Sequence, residues 1–335
     1  MTSNPKLKAL SGKMFSSTNE ESFRDIALEV YQYQSLHNKV YAAYHRALKI
    51  DPLTVNSIEL IPFLPVEFFK HHKVITEAGE ADAELVFTSS GTSGQITSRH
   101  YVPDPEIYEK SFSRSFELFY GSPSDYCILA LLPSYLEREG SSLVYMADKL
   151  IRLSGHSESG FYLNNYTDLI NKLENLKSKG QKTLLLGVTY ALLDLADAGC
   201  IPGENCIVME TGGMKGKRKE MVREELHAYL KEKLKVKAIH SEYGMTELLS
   251  QAYSKGEGIF HCPAWMKILI RDINDPFSLL PNGKSGGINV IDLANLYSCS
   301  FIANKDLGKK HADNSFEVLG RFDNSDIRGC NLMVE

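Results

Sequence analysis

The chain has 335 residues, of which 43% are hydrophobic and 24% charged, and its formal net charge is −5. This length suits one large α/β domain with a small appendage. The balanced composition excludes a polyanion or a membrane surface as an expected partner, so no nucleic acid is expected to bind. We find no apolar run of about 20 residues that would span a membrane and no cleavable leader. These features predict a cytoplasmic protein.

The first predicted element is a long amphipathic helix. It begins at Thr18, because Thr18 and Glu21 have the spacing of a capping box and apolar residues follow at helical spacing as far as "YAAYHRAL". Two prolines in "IPFLPVEFF" then exclude a regular helix or a central strand. We assign residues 1–60 to an N-terminal helical segment of the same domain.

Short apolar runs alternate with helical segments along the middle of the chain. The predicted strands include "YCILALLP", "TLLLGV", "CIVME" and "VKAIHS", and the predicted helices include "YTDLINKLENLKSKG" and "KEMVREELHAYLKEKLK". This alternation predicts an α/β fold with a largely parallel sheet that helices cover on both faces. From Asn274 onward, strand-like pieces such as "GGINVIDL" and "SFEVLG" predict a smaller β-rich subregion.

A loop rich in glycine and hydroxyl side chains, "FTSSGTSGQITSRHYV", runs from Phe87 to Val102. Backbone N–H groups in such a turn form a concave nest that binds phosphate oxygens, and the hydroxyl groups add donors. The loop lacks the Gly-Lys-Ser/Thr ending of a Walker motif. From these residues alone, a flexible surface loop stays an open alternative.

A second polar stretch, "HSEYGMTELLSQAY", follows the apolar run "VKAI". It puts Thr246 and Glu247 at a strand-to-loop edge, where open α/β sheets bind their ligands. A single glutamate there could equally be a solvated charge or the first residue of a helix. Together with a phosphate nest, however, a carboxylate beside a hydroxyl suits a hard cation that bridges phosphates.

The six cysteines form no CxxC pair and have no metal-ligand spacing, which predicts reduced thiols. Five of them are predicted to lie in the core, namely Cys127, Cys200, Cys206, Cys262 and Cys299. The sixth, Cys330, lies in "RGCNLMVE" near the carboxyl end, where a thiol is more accessible.

Four motifs in this order resemble the adenylate-forming superfamily of acyl and aryl ligases. "SSGTSG" and "YGMTE" look like its signature pair, "ANKDLGKK" resembles its Thr-Gly-Asp stretch, and "LGRFDNSDIRG" resembles its Gly-Arg-x-Asp hinge. The closer resemblance is to the acyl-protein synthetase (LuxE-type) family of bacterial bioluminescence. It rests on "IPFLPVEFFKHHKV", "ETGGMKGKRKE", "CPAWMKILIRD" and "INVIDLANLYSCSFIANKDLG". The resemblance implies an adenylation domain over residues 61–320.

The resemblance also implies a nucleotide site that uses ATP and Mg²⁺. Glu247, helped by Thr246, would meet the metal ion, Asp306 would accept hydrogen bonds from the ribose, and Arg321 would reach phosphate or ribose. Tyr243 and Gly244 would belong to the adenine site with Gly212 and Gly213. The phosphates would be held by Ser89, Ser90, Gly91, Thr92, Ser93 and Gly94. For the glycines a plain turn, for Tyr243 a core position, and for Arg321 a surface ion pair stay open.

The chain departs from the superfamily beyond the hinge, where residues 321–335 resemble a truncated hinge and tail. The mobile C-terminal domain and its catalytic lysine are expected to be essentially absent. In the LuxE-type family a fatty acid is activated as acyl-AMP and the acyl group then moves to a cysteine near the carboxyl end, from which a partner reductase takes it. The resemblance therefore implies Cys330 as the acceptor thiol.

Two alternatives to this reading are left open by the sequence. The acyl acceptor could be coenzyme A, a carrier protein or an amine instead of Cys330. The second is a non-catalytic nucleotide- or acyl-binding relative, because the catalytic lysine is expected to be absent. In either case Cys330 would be an incidental residue of the tail without a function.

Overall fold

The computed structural model of the protein describes residues 5–17, 19–76, 83–89, 96–133, 140–212, 218 and 221–321. Its helices are Pro5–Met14 (α1), Glu20–His37 (α2), Lys39–Leu48 (α3), Phe68–His71 (α4), Pro105–Tyr120 (α5), Ser142–Ser154 (α6), Tyr166–Ser178 (α7), Thr189–Asp197 (α8) and Arg223–Leu234 (α9). Its first seven strands are Leu64–Pro65 (β1), Leu85–Thr88 (β2), Arg99–Val102 (β3), Cys127–Leu131 (β4), Gly160–Tyr162 (β5), Thr183–Val188 (β6) and Cys206–Thr211 (β7). The others are His240–Tyr243 (β8), Ala252–Ser254 (β9), Ile259–His261 (β10), Met266–Arg271 (β11), Ser285–Asp292 (β12), Phe301–Lys310 (β13) and Phe316–Arg321 (β14).

The described residues divide into two compact units. The first unit takes its residues from 5–86, 96–107 and 262–321, and the second unit takes them from 87–89 and 108–261. No described helix is both long and apolar enough to cross a membrane.

The second unit contains a mainly parallel sheet in the order β5-β4-β6-β7-β8-β9-β10. The first five strands of this order are parallel, and β9 and β10 follow as antiparallel strands. Every residue of β4 and β6 is buried, which explains why both strands read as continuous apolar runs instead of alternating ones. Gly187 on β6 packs so closely on Leu192 of α8 that a β-carbon there would lie 2.7 Å from that side chain.

The first unit is built on an antiparallel sheet in the order β11-β12-β13-β14, and β1 pairs in parallel with β13. Buried aromatic rings of α2 and α3 pack on this sheet, since Tyr31 and Tyr41 both contact Phe301. Arg271 of β11 is buried, and its guanidinium donates to the backbone oxygens of Ile288 and Asn304 at 2.6 and 2.5 Å. These two bonds join β11, β12 and β13.

The prediction of one long helix from Thr18 is wrong in its boundaries. Thr18 lies outside the described residues, and α2 is capped by Asn19, whose side chain accepts from the backbone of Ser22 over 2.8 Å. The helix ends at Asn38, which is extended and starts α3 by accepting from the backbone of Val40 and Tyr41. Periodicity alone misses this break, because apolar spacing is similar on both sides of the asparagine.

The α/β prediction is confirmed in the second unit. The strands expected from "YCILALLP", "TLLLGV" and "CIVME" are β4, β6 and β7, and the two predicted helices correspond to α7 and α9. The run "VKAIHS" becomes a strand only from His240. The strand-rich region after Asn274 is also confirmed, as β12, β13 and β14.

Candidate functional site

The carboxyl ends of β7 and β8 bring two predicted nucleotide-binding segments side by side. Thr211 is in register with Glu242 on the parallel partner strand, so the turn at Gly212 lies next to the loop that starts at Gly244. Gly212 has a φ of +70°, a left-handed conformation that glycine adopts without steric cost. The Thr189 hydroxyl donates to the Gly212 carbonyl oxygen over 2.9 Å. Both segments therefore lie at the edge where open α/β sheets bind ligands.

Glu210, the neighbour of Thr211 on β7, is 3% exposed and has three kinds of partner. The Arg223 guanidinium of α9 donates to its carboxylate, Thr189 Oγ1 donates over 3.3 Å, and His227 Nε2 lies 3.6 Å away. Burial raises the pKa of this carboxyl, but hydrogen bonds from His227 and Ser241 and the charge of Arg223 outweigh burial and lower it. Glu210 is therefore a buried, paired carboxylate.

Glu242, on the next strand, is 8% exposed and lies in a different environment. The Thr211 hydroxyl donates to its Oε2 atom, and a β-carbon on Gly244 would collide with its Oε1 atom. Burial, and secondarily the charge of Glu210, raise the pKa of Glu242 to about 7, against the effect of the Thr211 hydrogen bond. Gln251 is also close, since its Cγ lies 3.5 Å from the same β-carbon position.

The residues predicted to bind adenine and metal lie in β8 and in the loop that follows it. Tyr243 is buried at the end of β8, and its ring meets the Phe260 ring edge to face at 5.9 Å. Thr246 is half-buried and Glu247 is buried. A single carboxylate fits Mg²⁺, which usually binds one or two protein carboxylates together with phosphates and water. Among the described residues no group of three or more His, Cys, Asp or Glu side chains could hold a metal ion.

The predicted phosphate loop lies only partly within the described chain. Ser89 directly follows β2 and is half-buried, and the Thr88 amide donates to the Gly140 carbonyl oxygen over 2.8 Å. Phe87 anchors this end of the loop, because its ring packs on Tyr108 and Tyr145. Some predicted site residues lie outside the described residues, namely Ser90, Gly91, Thr92, Ser93, Gly94, Gly213 and Cys330.

The predicted ribose site is in the first unit, on β13. The Asp306 carboxylate accepts from Asn304 Nδ2 over 3.2 Å, and the Asp306 amide donates to Asn304 Oδ1 over 3.0 Å. Arg321 is in register with Asp306 on β14, and its Nε lies 3.4 Å from the carboxylate. Asn304 also accepts from Arg271 through its carbonyl oxygen. Asp306 thus lies on β13, which pairs with β12 on one side and with β14 on the other.

Four basic residues follow the glycine pair in "ETGGMKGKRKE", and of these only Arg218 lies within the described residues. The Arg218 guanidinium pairs with Asp194 and, at 2.7 Å, with Asp197, both from α8. These groups are partly exposed, so the pairs are worth little in stability.

The five described cysteines are free thiols. Cys127, Cys200, Cys206 and Cys299 are buried as predicted, and Cys262 is half-buried. Burial raises the pKa of all five thiols. Their thiolates, and hence their nucleophilicity, are suppressed at neutral pH.

Four polar residues near the site were missed by sequence reasoning, namely Glu210, Arg223, Glu242 and Gln251. The two glutamates could have been found, because each precedes a predicted nucleotide-binding residue by one or two positions. The other two carry no local signal, since their contacts to the site come from the packing of α9 and of the segment before β9.

Comparison with known families decides the class of this protein. The acyl-protein synthetase, LuxE, family model matches residues 10–335. The chain belongs to the LuxE acyl-protein synthetase family. The predicted family is therefore confirmed. Among curated proteins, none is significantly similar.

Solved structures confirm the predicted adenylate-forming fold. An open conformation of 2-hydroxyisobutyryl-CoA ligase, in complex with 2-HIB-AMP and CoA, has 12% identity and a TM-score of 0.66 over 92% of this chain and 72% of that one. ATP-bound MatB from Rhodopseudomonas palustris has 16% identity and a TM-score of 0.53 over 73% of this chain. The chain spans about half the length of the MatB structures it matches.

Proposed function

We propose that the protein activates a carboxylic acid, a fatty acid or a related acid, with ATP to form an acyl-adenylate, and that Cys330 then accepts the acyl group. The enzyme would thus be an AMP-forming acyl-protein synthetase. A separate reductase or carrier protein would take the acyl group from the resulting thioester.

One observation carries the proposal. Two sequence segments that resemble superfamily motifs, around Gly212 and from Tyr243 to Glu247, end adjacent parallel strands of one sheet. Such an edge is where open α/β sheets bind nucleotides. Family membership over nearly the whole chain supports the same activity.

The first step would be a displacement at phosphorus. A carboxylate oxygen of the acid attacks the α-phosphorus of ATP, the bond between the α-phosphorus and the bridging oxygen breaks, and pyrophosphate leaves. The chain contributes positioning and hydrogen-bond donors, which are the main sources of rate in phosphoryl transfer. We assign the phosphates to the loop from Ser89 to Gly94, the base to Tyr243 with the turns at Gly212 and Gly244, and the ribose to Asp306.

Glu247 would hold Mg²⁺ with help from Thr246. An ion held by these two residues would supply charge neutralisation to the phosphates. Arg321 would approach the ribose or phosphate, because it already pairs with Asp306.

The second step would be acyl transfer. The Cys330 thiolate attacks the acyl carbon, the acyl–phosphate bond breaks, and AMP leaves with the electron pair. Since burial suppresses the five described thiols, Cys330 is the one thiol of the sequence to which this step is assigned.

Intact-protein mass spectrometry tests both steps. The protein is incubated with ATP, Mg²⁺ and a panel of fatty and aryl acids, and pyrophosphate release is measured in parallel. We expect a mass gain of one acyl group that hydroxylamine removes, present in wild type and in Cys262→Ser but absent in Cys330→Ser. Glu247→Gln should reduce pyrophosphate release by about 100-fold.

The alternatives give other patterns. Pyrophosphate release without an adduct, stimulated by coenzyme A, a carrier protein or an amine, would move the acceptor outside the chain. Binding of ATP without pyrophosphate release for any acid would indicate a non-catalytic relative and would overturn the proposal.

A further inference from the structure

Three consecutive residues of β13 lie in a bulge of the first unit's sheet. Between two register pairs, Gly287–Leu307 and Asn289–Ala303, β12 has one residue and β13 has three, residues 304–306. A bulge takes its extra residues out of the regular ladder and turns their side chains in a new direction, and bulges recur beside active sites for this reason. The last of the three residues is the aspartate assigned to the ribose, so the bulge decides where its carboxylate points.

The Asn304 side chain ties the bulge to the Asp306 carboxylate. Its Nδ2 atom donates to Asp306 Oδ2 over 3.2 Å, and its Oδ1 atom accepts from the Asp306 amide over 3.0 Å. Asn304 is 2% exposed, whereas the Asp306 side chain is 18% exposed. A carboxylate has about four acceptor sites, so the bond from Asn304 is compatible with further bonds from ribose hydroxyl groups. Asn304 thus orients the carboxylate from its buried side.

Arg271 holds the backbone of Asn304. It lies on β11 in register with Gly287 of β12, yet its Nη2 atom donates to the Asn304 carbonyl oxygen on β13 over 2.5 Å. The guanidinium passes over β12 at Gly287, where a β-carbon would lie 2.6 Å from Arg271 Cζ. Its Nη1 atom donates over 2.6 Å to the carbonyl oxygen of Ile288, the residue opposite the bulge. A planar guanidinium bridges two such carbonyl oxygens, and an ammonium group has no such fork.

We propose that Asn304 is the positioning residue of the ribose site, and that Arg271 fixes the bulge that carries it. This inference rests on the proposed function, which assigns Asp306 to the ribose. Neither residue contacts the reacting atoms, because Asn304 acts through Asp306 and Arg271 acts through Asn304. An oriented carboxylate accepts from the ribose hydroxyls, and a carboxylate that rotates away loses these bonds and the alignment of ATP that they support.

The experiment compares ATP with 2′-deoxyATP and 3′-deoxyATP. For each nucleotide, kcat/KM is measured from pyrophosphate release with Mg²⁺ and the acid of the panel that wild type uses best. We define the ribose preference as the ratio of kcat/KM for ATP to that for the poorer analogue. Wild type should have a preference of at least about tenfold, the value of one hydrogen bond to a charged acceptor. A smaller folded fraction lowers both kcat/KM values alike and leaves this ratio unchanged.

Variants of the bulge test the positioning role. Asp306→Ala sets the lower limit, and its ribose preference should be near unity. Asn304→Ala keeps the carboxylate but not its orientation, so the preference should fall to about threefold or less, mainly through a higher KM for ATP. Asn304→Thr should keep most of the preference, because a hydroxyl group also accepts from the amide two residues further on.

Two further variants test the role of Arg271. Arg271→Lys keeps the charge without the fork, and Gly287→Ala displaces the guanidinium from β12, so each should reduce the ribose preference by about two- to threefold. Asn295→Ala is the matched control, because Asn295 is also buried in the first unit and its Nδ2 atom donates to the Cys299 carbonyl oxygen over 3.1 Å. It should lower the midpoint of thermal unfolding and leave the ribose preference unchanged.

The outcomes separate the inference from the proposed function. An unchanged ribose preference in folded Asn304→Ala would overturn the inference while the proposed function stands. If Asn304→Ala does not fold, an unchanged preference in both Arg271→Lys and Gly287→Ala would overturn it equally. A wild type that does not distinguish ATP from either analogue would overturn the assignment of the ribose to Asp306 and this inference with it, while adenylation would stand. Release of no pyrophosphate with any acid, despite ATP binding, would overturn the proposed function and this inference together.

Discussion

Two glutamates on adjacent strands are nearly equally buried and differ in almost every other respect. Glu210 on β7 is surrounded by Arg223, His227 and Thr189, and its pKa is lowered. Glu242 on β8 has the Thr211 hydroxyl, and its pKa is raised to about 7. Their side chains lie on opposite faces of one sheet.

The difference teaches that the partners of a buried carboxyl, and not its burial, decide its charge and its role. Glu210 has several partners in the protein and links β7 to α8 and α9. Among the described residues, Glu242 accepts a hydrogen bond from the Thr211 hydroxyl and has no cationic partner as Glu210 does.

The largest expected effect comes from removing the partner of Glu210. Arg223→Met should lower the free energy of unfolding by about 4 kcal/mol at neutral pH, because it leaves a buried charge with a weaker partner. Urea unfolding measures this. Arg152→Met provides the control, since Arg152 is exposed and pairs with Asp148 within one helix; its effect should be below about 0.5 kcal/mol. Equal effects of the two would show that Glu210 is not held by Arg223.

Glu242→Gln should act in the opposite direction. The pKa of Glu242 rises on folding from 4.5 to about 7, so between these values the folded state binds more protons and its stability falls as pH rises. The variant should therefore be more stable than wild type near pH 8, by on the order of 3 kcal/mol, and the gain should fade towards pH 4.5. Chemical unfolding across this pH range measures the gain. A pH-independent difference would contradict the raised pKa.

Glu210→Gln should change the stability in the direction opposite to Glu242→Gln. The lowered pKa of Glu210 stabilises the fold above its unfolded pKa. This variant should therefore lose stability at neutral pH, and the loss should diminish as pH falls through the folded pKa.

Thr211→Val should have an intermediate effect. The substitution keeps the shape of the side chain and removes the donor to Glu242, which should cost about 2 kcal/mol when the carboxyl is ionised. Because this bond opposes the rise in the pKa of Glu242, the midpoint of the pH dependence should also move upward. An unchanged midpoint would mean that the hydroxyl does not serve the carboxylate.

The smallest effect is expected for Thr189→Val, which loses the bonds to the Gly212 carbonyl oxygen and to Glu210. We expect about 1 kcal/mol of lost stability. The more informative measurement is the KM for ATP, which should rise several-fold if the turn at Gly212 approaches the nucleotide. A loss of stability with no change in the KM for ATP would show that the turn at Gly212 does not contribute to nucleotide binding.

Much of the sheet could be predicted because strands that are buried on both faces appear in the sequence as short apolar runs. The runs that became β4, β6 and β7 are mostly apolar, so neither register nor partners were needed to find them. The break at Asn38 was missed because its cause is distant in sequence, in the hydrogen bond to Ser298 that holds the asparagine extended.

The candidate site was predictable only as far as motifs reach. Gly212, Tyr243 and Glu247 were found by resemblance, and they do follow or end neighbouring strands. The charge state of Glu210 depends on Arg223 and His227 of α9, and that of Glu242 depends on its burial and on Thr211 and Glu210 of the neighbouring strand. No pattern in one sequence reports such contacts.

The burial of the five described cysteines should make chemical labelling selective for Cys330. Soluble alkylating reagents react with thiolates, and the five described thiols are kept protonated at neutral pH. Rapid modification of the native protein by one equivalent of reagent would therefore report on Cys330. Slower labelling of the protein after incubation with an acid and ATP would then report acylation of the same thiol.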